Sequence, residues 1–386
     1  MPRHPLVGRV AFGSSSNRFA SVLDAGEAIF TRSARSAIAL ALRHSHIGVG
    51  SQVLIPNYYC TTMIAPIEKE GATPVFYPIT HDGLPDLDWL RKNEQINPRA
   101  MLAVHFFGIP RAFDSVREFC DANGIVLIED CAHAFYGSSD GKPVGSVGDY
   151  AIASLPKFFP VMEGGLLVSH SRDLSALRLT QQGVRAEFKG VWNMLEAAAC
   201  HERLYGFNTA IRACVRLLAS VKTEYPPVAD VDAAASAMGA SEVRENALVD
   251  PLIEPMRSRR SDDWVVAHTN VARAIEVRRR NFRRLTELLR DCPGASILTE
   301  ELPDGAVPYV VPIRFQATAE IFPRLRALGL PVLRWDLYWP GAIESSRDIG
   351  RDWGHHVMQI LCHQDLTERD IDTIAALTRE IAAEFV

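Results

Sequence analysis

Leu127-Ile128-Glu129-Asp130-Cys131-Ala132-His133-Ala134-Phe135-Tyr136-Gly137 is the stretch on which the fold turns. It continues residues 124–128, a short, apolar and mostly β-branched run that reads as a strand buried in a parallel sheet, with Glu129 and Asp130 delivered at its carboxyl end. In open α/β sheets ligands gather beyond such strand ends. Downstream, Ser154-Leu155-Pro156-Lys157-Phe158-Phe159 leads into Glu163-Gly164-Gly165, so that Lys157 follows the buried acid at short range.

Working outward, strand and helix patterns alternate. Helical periodicity covers 33–44, 61–70 and 113–123, and strand patterns cover 52–55, 73–77, 100–105, 150–154 and 165–168. This rhythm predicts a mostly parallel sheet covered by helices. The organisation then changes. Residues 180–245 are alanine-rich and helical, with a break at Tyr225-Pro226-Pro227, and a long helix is expected over 265–291. Strands at 309–315 and 331–333, with helices at 319–328 and 368–384, complete an α+β segment. The expectation is an α/β protein with a large domain over 1–245 and a smaller α+β C-terminal domain over 246–386. No internal repeat is present.

The 386 residues, 47% of them hydrophobic, suffice for a sizeable core, and the net charge of -5 argues against a nucleic-acid partner. Arg257, Arg259, Arg260 and Arg278-Arg279-Arg280 are locally basic. In the second cluster Val277, Phe282, Leu285 and Leu289 recur near helical spacing, which predicts that the arginines cover a solvated helix face. The seven cysteines are scattered, without the paired spacing of a zinc site, so no metal is expected and a reduced, cytoplasmic setting fits. No apolar h-region opens the chain, and no uninterrupted apolar run reaches the roughly 18 residues of a spanning helix.

A buried acid followed by a lone lysine suits pyridoxal phosphate. That cofactor acts as an electron sink while its ring nitrogen stays protonated, which requires a neighbouring carboxylate, and a lysine amine holds it as a Schiff base. Asp130 and Lys157 meet the two requirements. Where the chain enters the helix at Ser33-Ala34-Arg35-Ser36, outward amide groups and the helix dipole offer a phosphate site, to which Arg35 adds a charged donor and Ser36 a hydroxyl.

Together these motifs resemble the fold-type-I pyridoxal phosphate enzymes, and among them the DegT-type nucleotide-sugar aminotransferases. The resemblance runs from ARSAIALAL near residue 34 to CHQDLTERDID near the end, and its most specific parts are EDCAHA, VGSVGD and the Lys157 segment. It implies Asp130 at the pyridine nitrogen, Lys157 as the covalent anchor, His133 near the phenolic oxygen and Ser154 as a phosphate ligand. The aromatic that stacks on the ring in this family falls near Cys60 here, which nominates Tyr59, with Tyr58 and Phe106 as alternatives. The chain departs from the family in other respects too. The segment before Lys157 is two residues shorter, Arg35 stands where a threonine is common, and the Asn-x-Arg element is not recognisable before residues 231–238.

The resemblance further implies a homodimer that transfers an amino group from glutamate or glutamine to a keto-sugar nucleotide or related carbonyl, in polysaccharide or antibiotic biosynthesis. Another pyridoxal phosphate reaction on the same scaffold, such as decarboxylation, aldol cleavage or dehydration, and a non-catalytic regulatory homologue are the alternatives. For the aromatic run at residues 334–339 and for His355-His356, packing and an acceptor-site role remain alternatives.

Overall fold

The structure, a computed structural model, describes residues 1–13, 19–93, 95–219, 248, 250–336 and 348–386. Its first part contains strands β1 (Glu27–Thr31), β2 (Gln52–Pro56), β3 (Thr73–Tyr77), β4 (Pro98–Val104), β5 (Val126–Asp130), β6 (Ser138–Ser139), β7 (Lys142–Pro143), β8 (Tyr150–Ser154) and β9 (Gly165–Ser169). Interleaved with them are helices α1 (Ala34–His44), α2 (Ala65–Lys69), α3 (Leu87–Lys92) and α4 (Asp114–Asn123). A 7-stranded sheet in the order β1-β9-β8-β5-β4-β2-β3 forms the centre. The ladders β3–β2–β4–β5–β8 are parallel, whereas β9 runs antiparallel to both β8 and β1. Every residue of β9, and all but the first of β5, is buried, as a strand covered on both faces requires.

Local chemistry sets the element ends. The Ser33 side chain accepts the Ser36 amide to cap α1. Gly124, at φ 63°, ends α4 in the left-handed conformation and turns the chain into β5.

Helices α5 (Val184–Cys200), α6 (Asn208–Ala219), α7 (Arg260–His268) and α8 (Val271–Leu289) lead to the second sheet. That sheet, in the order β10-β11-β13-β12, is antiparallel. It is built from β10 (Ala295–Ile297), β11 (Val310–Phe315), β12 (Val332–Arg334) and β13 (Val357–Leu361), with α9 (Thr318–Ala327), α10 (Ile349–His356) and α11 (Glu368–Ala382) beside them. A mostly parallel large sheet plus a smaller α+β unit is the expected architecture. The boundary near residue 245 and the break at Tyr225-Pro226-Pro227 lie outside the described residues. Residues just beyond return to the large sheet, where the Arg32 amide donates to Met256 O at 2.8 Å.

Two expectations are corrected. The helix predicted over 265–291 is interrupted at Thr269-Asn270, because Thr269 is extended and the Asn270 side chain accepts the Arg273 amide, capping a new helix. Arg278 is not on a solvated face: it is 1% exposed.

Candidate active site

Asp130 ends β5, and Ser154 ends the neighbouring β8, from which the 3₁₀ turn Leu155–Lys157 carries the lysine onward. These strand ends meet the amino end of α1 at one cavity, lined by Asp130, His133, Ser154, Lys157 and Arg35. The junction needs a glycine. A Cβ on Gly165 would lie 2.3 Å from the Ser33 carbonyl carbon and 2.4 Å from the Ala34 nitrogen, so only a bare backbone lets β9 seat the helix start there.

Glu129, beside Asp130 in sequence, is spent on the frame. Its carboxylate accepts the amides of Gly145, Val147 and Gly148 and pairs with His105 Nε2 at 3.0 Å. The EDCAHA and VGSVGD motifs are therefore two halves of one hydrogen-bonded unit. Because His105 Nδ1 accepts the Arg111 amide, the ring proton sits on Nε2 and faces Glu129. Burial opposes charge on Glu129, but His105 and the backbone donors outweigh it and hold the carboxyl below its usual range. His105, Glu129 and Cys131 sit close enough to suggest a metal cluster, yet these hydrogen bonds already occupy both the carboxylate and the imidazole.

Asp130 is 3% exposed, with Oδ1 fixed by the Ala132 amide at 2.8 Å. Burial raises its pKa, against the lowering influence of the Lys157 charge. A protonated ring nitrogen opposite this carboxylate would favour its charged form. The Lys157 amine lies 5.4 Å from the centroid of the Tyr309 ring. His133 is held neutral, its pKa driven well below the ordinary value by burial and then by Lys157. Its ring packs against Tyr309 and Trp335, with centroids at 4.6 and 4.9 Å, and among the described residues its buried Nδ1 has no hydrogen-bond partner. A buried, unmatched ring nitrogen in a cavity wall fits a polar ligand atom placed there.

The remaining candidates are placed differently. Arg35 lines the cavity, and its guanidinium is ion-paired with Asp250. Ser36 is fully buried and its hydroxyl donates to Glu254 O at 2.9 Å, directed away from the cavity. Tyr59 does not reach the cavity: its ring packs on Phe76 at 5.1 Å, and Cys60 and Thr62 line the wall instead. Tyr58 and Phe106 belong to a buried aromatic cluster with Trp335 and Trp353, where Gln359 donates to the Tyr58 hydroxyl at 2.8 Å. Of residues 334–339, Trp335 lines the cavity and 337–339 lie outside the described residues. His356 turns to Asp352 at 2.9 Å.

Sequence reasoning missed Tyr309, His363 and the Arg3-His4-Pro5 segment, all of which line the cavity. No local pattern marks them, since tertiary packing alone brings them there. His363 has a weak signal, because it lies in the CHQD motif.

The family model of the DegT/DnrJ/EryC1/StrS aminotransferase family matches residues 14–221. The chain is 35% identical over 167 residues to GDP-perosamine synthase of Vibrio cholerae, covering 42% of this chain and 45% of that protein. It is 33% identical over 167 residues to dTDP-3-amino-3,4,6-trideoxy-alpha-D-glucose transaminase of Streptomyces venezuelae, covering 41% and 42%. The matches thus span less than half the length of these relatives. In fold it is similar to PseC of Helicobacter pylori, an aminotransferase involved in the biosynthesis of pseudoaminic acid (TM-score 0.63, 14% identity, covering 98% and 100%). It is likewise similar to a Brucella abortus aminotransferase of the matched family (TM-score 0.60, 17% identity, covering 93% and 87%).

Proposed function

The chain belongs to the DegT/DnrJ/EryC1/StrS aminotransferase family, and from that premise we propose that it is a pyridoxal phosphate-dependent aminotransferase acting on a nucleotide-linked keto-sugar. One observation carries the reading: a buried carboxylate, a lysine amine, an unmatched buried histidine nitrogen and a helix start share one cavity. When bound, the cofactor supplies a carbonyl that takes up the donor's nitrogen and a ring that disperses the charge of a deprotonated α-carbon.

The protein's own groups supply the rest. Asp130 keeps a proton on the ring nitrogen. The amide groups at the start of α1, with Ser154 and Arg35, bind the phosphate. His133 contributes Nδ1 to a polar ring substituent, and its ring with those of Tyr309 and Trp335 walls off water. Lys157 would anchor the cofactor, and its amine, once freed by the incoming donor, would serve as the base for the donor's α-proton and then as the acid that passes that proton on to the cofactor side as nitrogen is transferred. Ser36 supports the phosphate loop through its hydrogen bond to Glu254 O.

Glutamate or glutamine is the proposed donor. The nucleotide-linked acceptor is supported by the names of the two relatives above. A homodimer in the cytoplasm is the corresponding assembly and setting; among the described residues no helix is long and apolar enough to cross a membrane. The experiment is a half-reaction: loaded protein mixed with glutamate, then with GDP- and dTDP-linked 3-keto- and 4-keto-sugars. Release of 2-oxoglutarate followed by an aminated sugar is the expected result. Decarboxylation of the donor, or dehydration without nitrogen transfer, would overturn the aminotransferase reading.

A further inference from the structure

Arg278 in α8 is 1% exposed, and among the described residues no carboxylate pairs with it. Its nitrogens instead hold three oxygens from separate segments. Nε donates to Gln364 Oε1 at 2.7 Å, one terminal nitrogen donates to Pro308 O at 3.2 Å, and the other donates to Lys157 O at 2.6 Å. The guanidinium lies 4.4 Å from the centroid of the Phe158 ring. Gln364 in turn donates through Nε2 to Phe158 O at 2.8 Å. The consecutive carbonyls of Lys157 and Phe158 are thus held by two side chains that also hold each other.

This arrangement is costly for packing alone. A buried guanidinium loses hydration, and with Asp365 acting on it only at a distance, without an ion-pair contact, an apolar side chain of similar volume would serve the core as well or better. Burial lowers the Arg278 pKa to about 10, which still leaves it charged at neutral pH. What an apolar side chain cannot do is fix a carbonyl. Lys157 ends a single 3₁₀ turn, and an external hydrogen bond on its carbonyl fixes the peptide plane from which the amine projects. Pro308 and Gln364 flank β11 and β13, so the same hold ties the lysine to the smaller sheet.

We propose that Arg278, seconded by Gln364, is a positioning residue for Lys157: it fixes the peptide that carries the reactive amine and couples that peptide to the smaller sheet. This rests on the reading of Lys157 given above, and the first of two tests needs no cofactor. Full-length wild type, Arg278→Lys, Arg278→Met and Gln364→Met, each shown to be folded by circular dichroism, are treated without cofactor with trace acetic anhydride. The acetylation rate of Lys157 is then read by peptide mass spectrometry across pH. The second test loads the same proteins with pyridoxal phosphate and measures the pH midpoint of the bound absorbance, together with kcat and KM for glutamate.

Lys157 acetylation should change by about threefold or more in Arg278→Lys and Gln364→Met. In the loaded proteins kcat should fall about tenfold with KM within about threefold, and the absorbance midpoint should move. Arg278→Lys keeps the charge without the fork, so it should fail to rescue. Wild-type acetylation profiles in folded Arg278→Lys and Gln364→Met would overturn the proposal, and if Arg278→Met does not fold, those two variants decide. If wild type binds no pyridoxal phosphate, the functional reading fails while the acetylation profiles still decide the positioning role.

Discussion

Asp130 and Lys157 act on each other through charge. Burial pushes the Asp130 carboxyl up and the lysine charge pulls it back, so the acid suits a site where a second cation, the ring nitrogen, arrives with the ligand. Asp130→Asn removes that charge at constant size. It should lower kcat of the glutamate half-reaction by about a hundredfold or more, the scale of losing one oriented electrostatic partner, with circular dichroism unchanged. A decrease below about threefold would remove Asp130 from the chemistry. This pair was legible in the sequence because a short β-branched run ending in an acid follows a general rule of parallel sheets. Arg278 was not, since helical spacing describes the side chains of one helix and says nothing of carbonyls brought to them by other segments. Tyr59 was misplaced for a related reason: its neighbours Cys60 and Thr62 turn to the cavity, and no periodicity governs a turn that short.

Between elements, the seat of α1 on β9 is a tight constraint. At Gly165 the three nearest neighbours of an added Cβ are all backbone atoms, which cannot swing aside, so the helix start must shift. Gly165→Ala should lower stability by about 1–3 kcal/mol, the usual scale of overpacking, and weaken pyridoxal phosphate binding more than a surface change of equal stability cost. Thermal unfolding and a cofactor titration check it, and unchanged affinity would place the phosphate elsewhere. Strand Tyr150–Ser154 could be read residue for residue, being buried in all but its last residue, and so could the edge strand Thr73–Tyr77, whose β-branched and aromatic residues mark it although only Phe76 and Tyr77 are buried. Strand Glu27–Thr31, at the opposite edge and with only Thr31 buried, escaped notice. The interruption at Thr269-Asn270 escaped because the apolar spacing continues across it, and a single side-chain cap breaks the helix.

At the scale of the molecule, the N-terminal segment closes the cavity against the smaller sheet. The Leu6 amide donates to Asp365 at 3.0 Å, and His363 Nε2 meets Pro2 O at 3.1 Å. His4 in this segment has its pKa lowered to about 4, by burial and then by His201. A histidine held neutral in the folded state but titrating near 6.5 when unfolded binds fewer protons folded than unfolded between those values, so stability falls as pH falls. The melting temperature of His4→Gln should therefore fall less than that of the wild type between about pH 6.5 and pH 4, and match its pH dependence above that range. An identical slope in the variant would show that His4 is protonated in the folded protein.

Borohydride reduction of the pyridoxal phosphate-loaded protein, followed by peptide mass spectrometry, tests whether Lys157 is the anchor. A stable adduct on Lys157 is predicted, together with loss of the yellow chromophore, the adduct and turnover in Lys157→Ala. An adduct on another lysine, or normal turnover by that variant, would show that Lys157 is not the anchor.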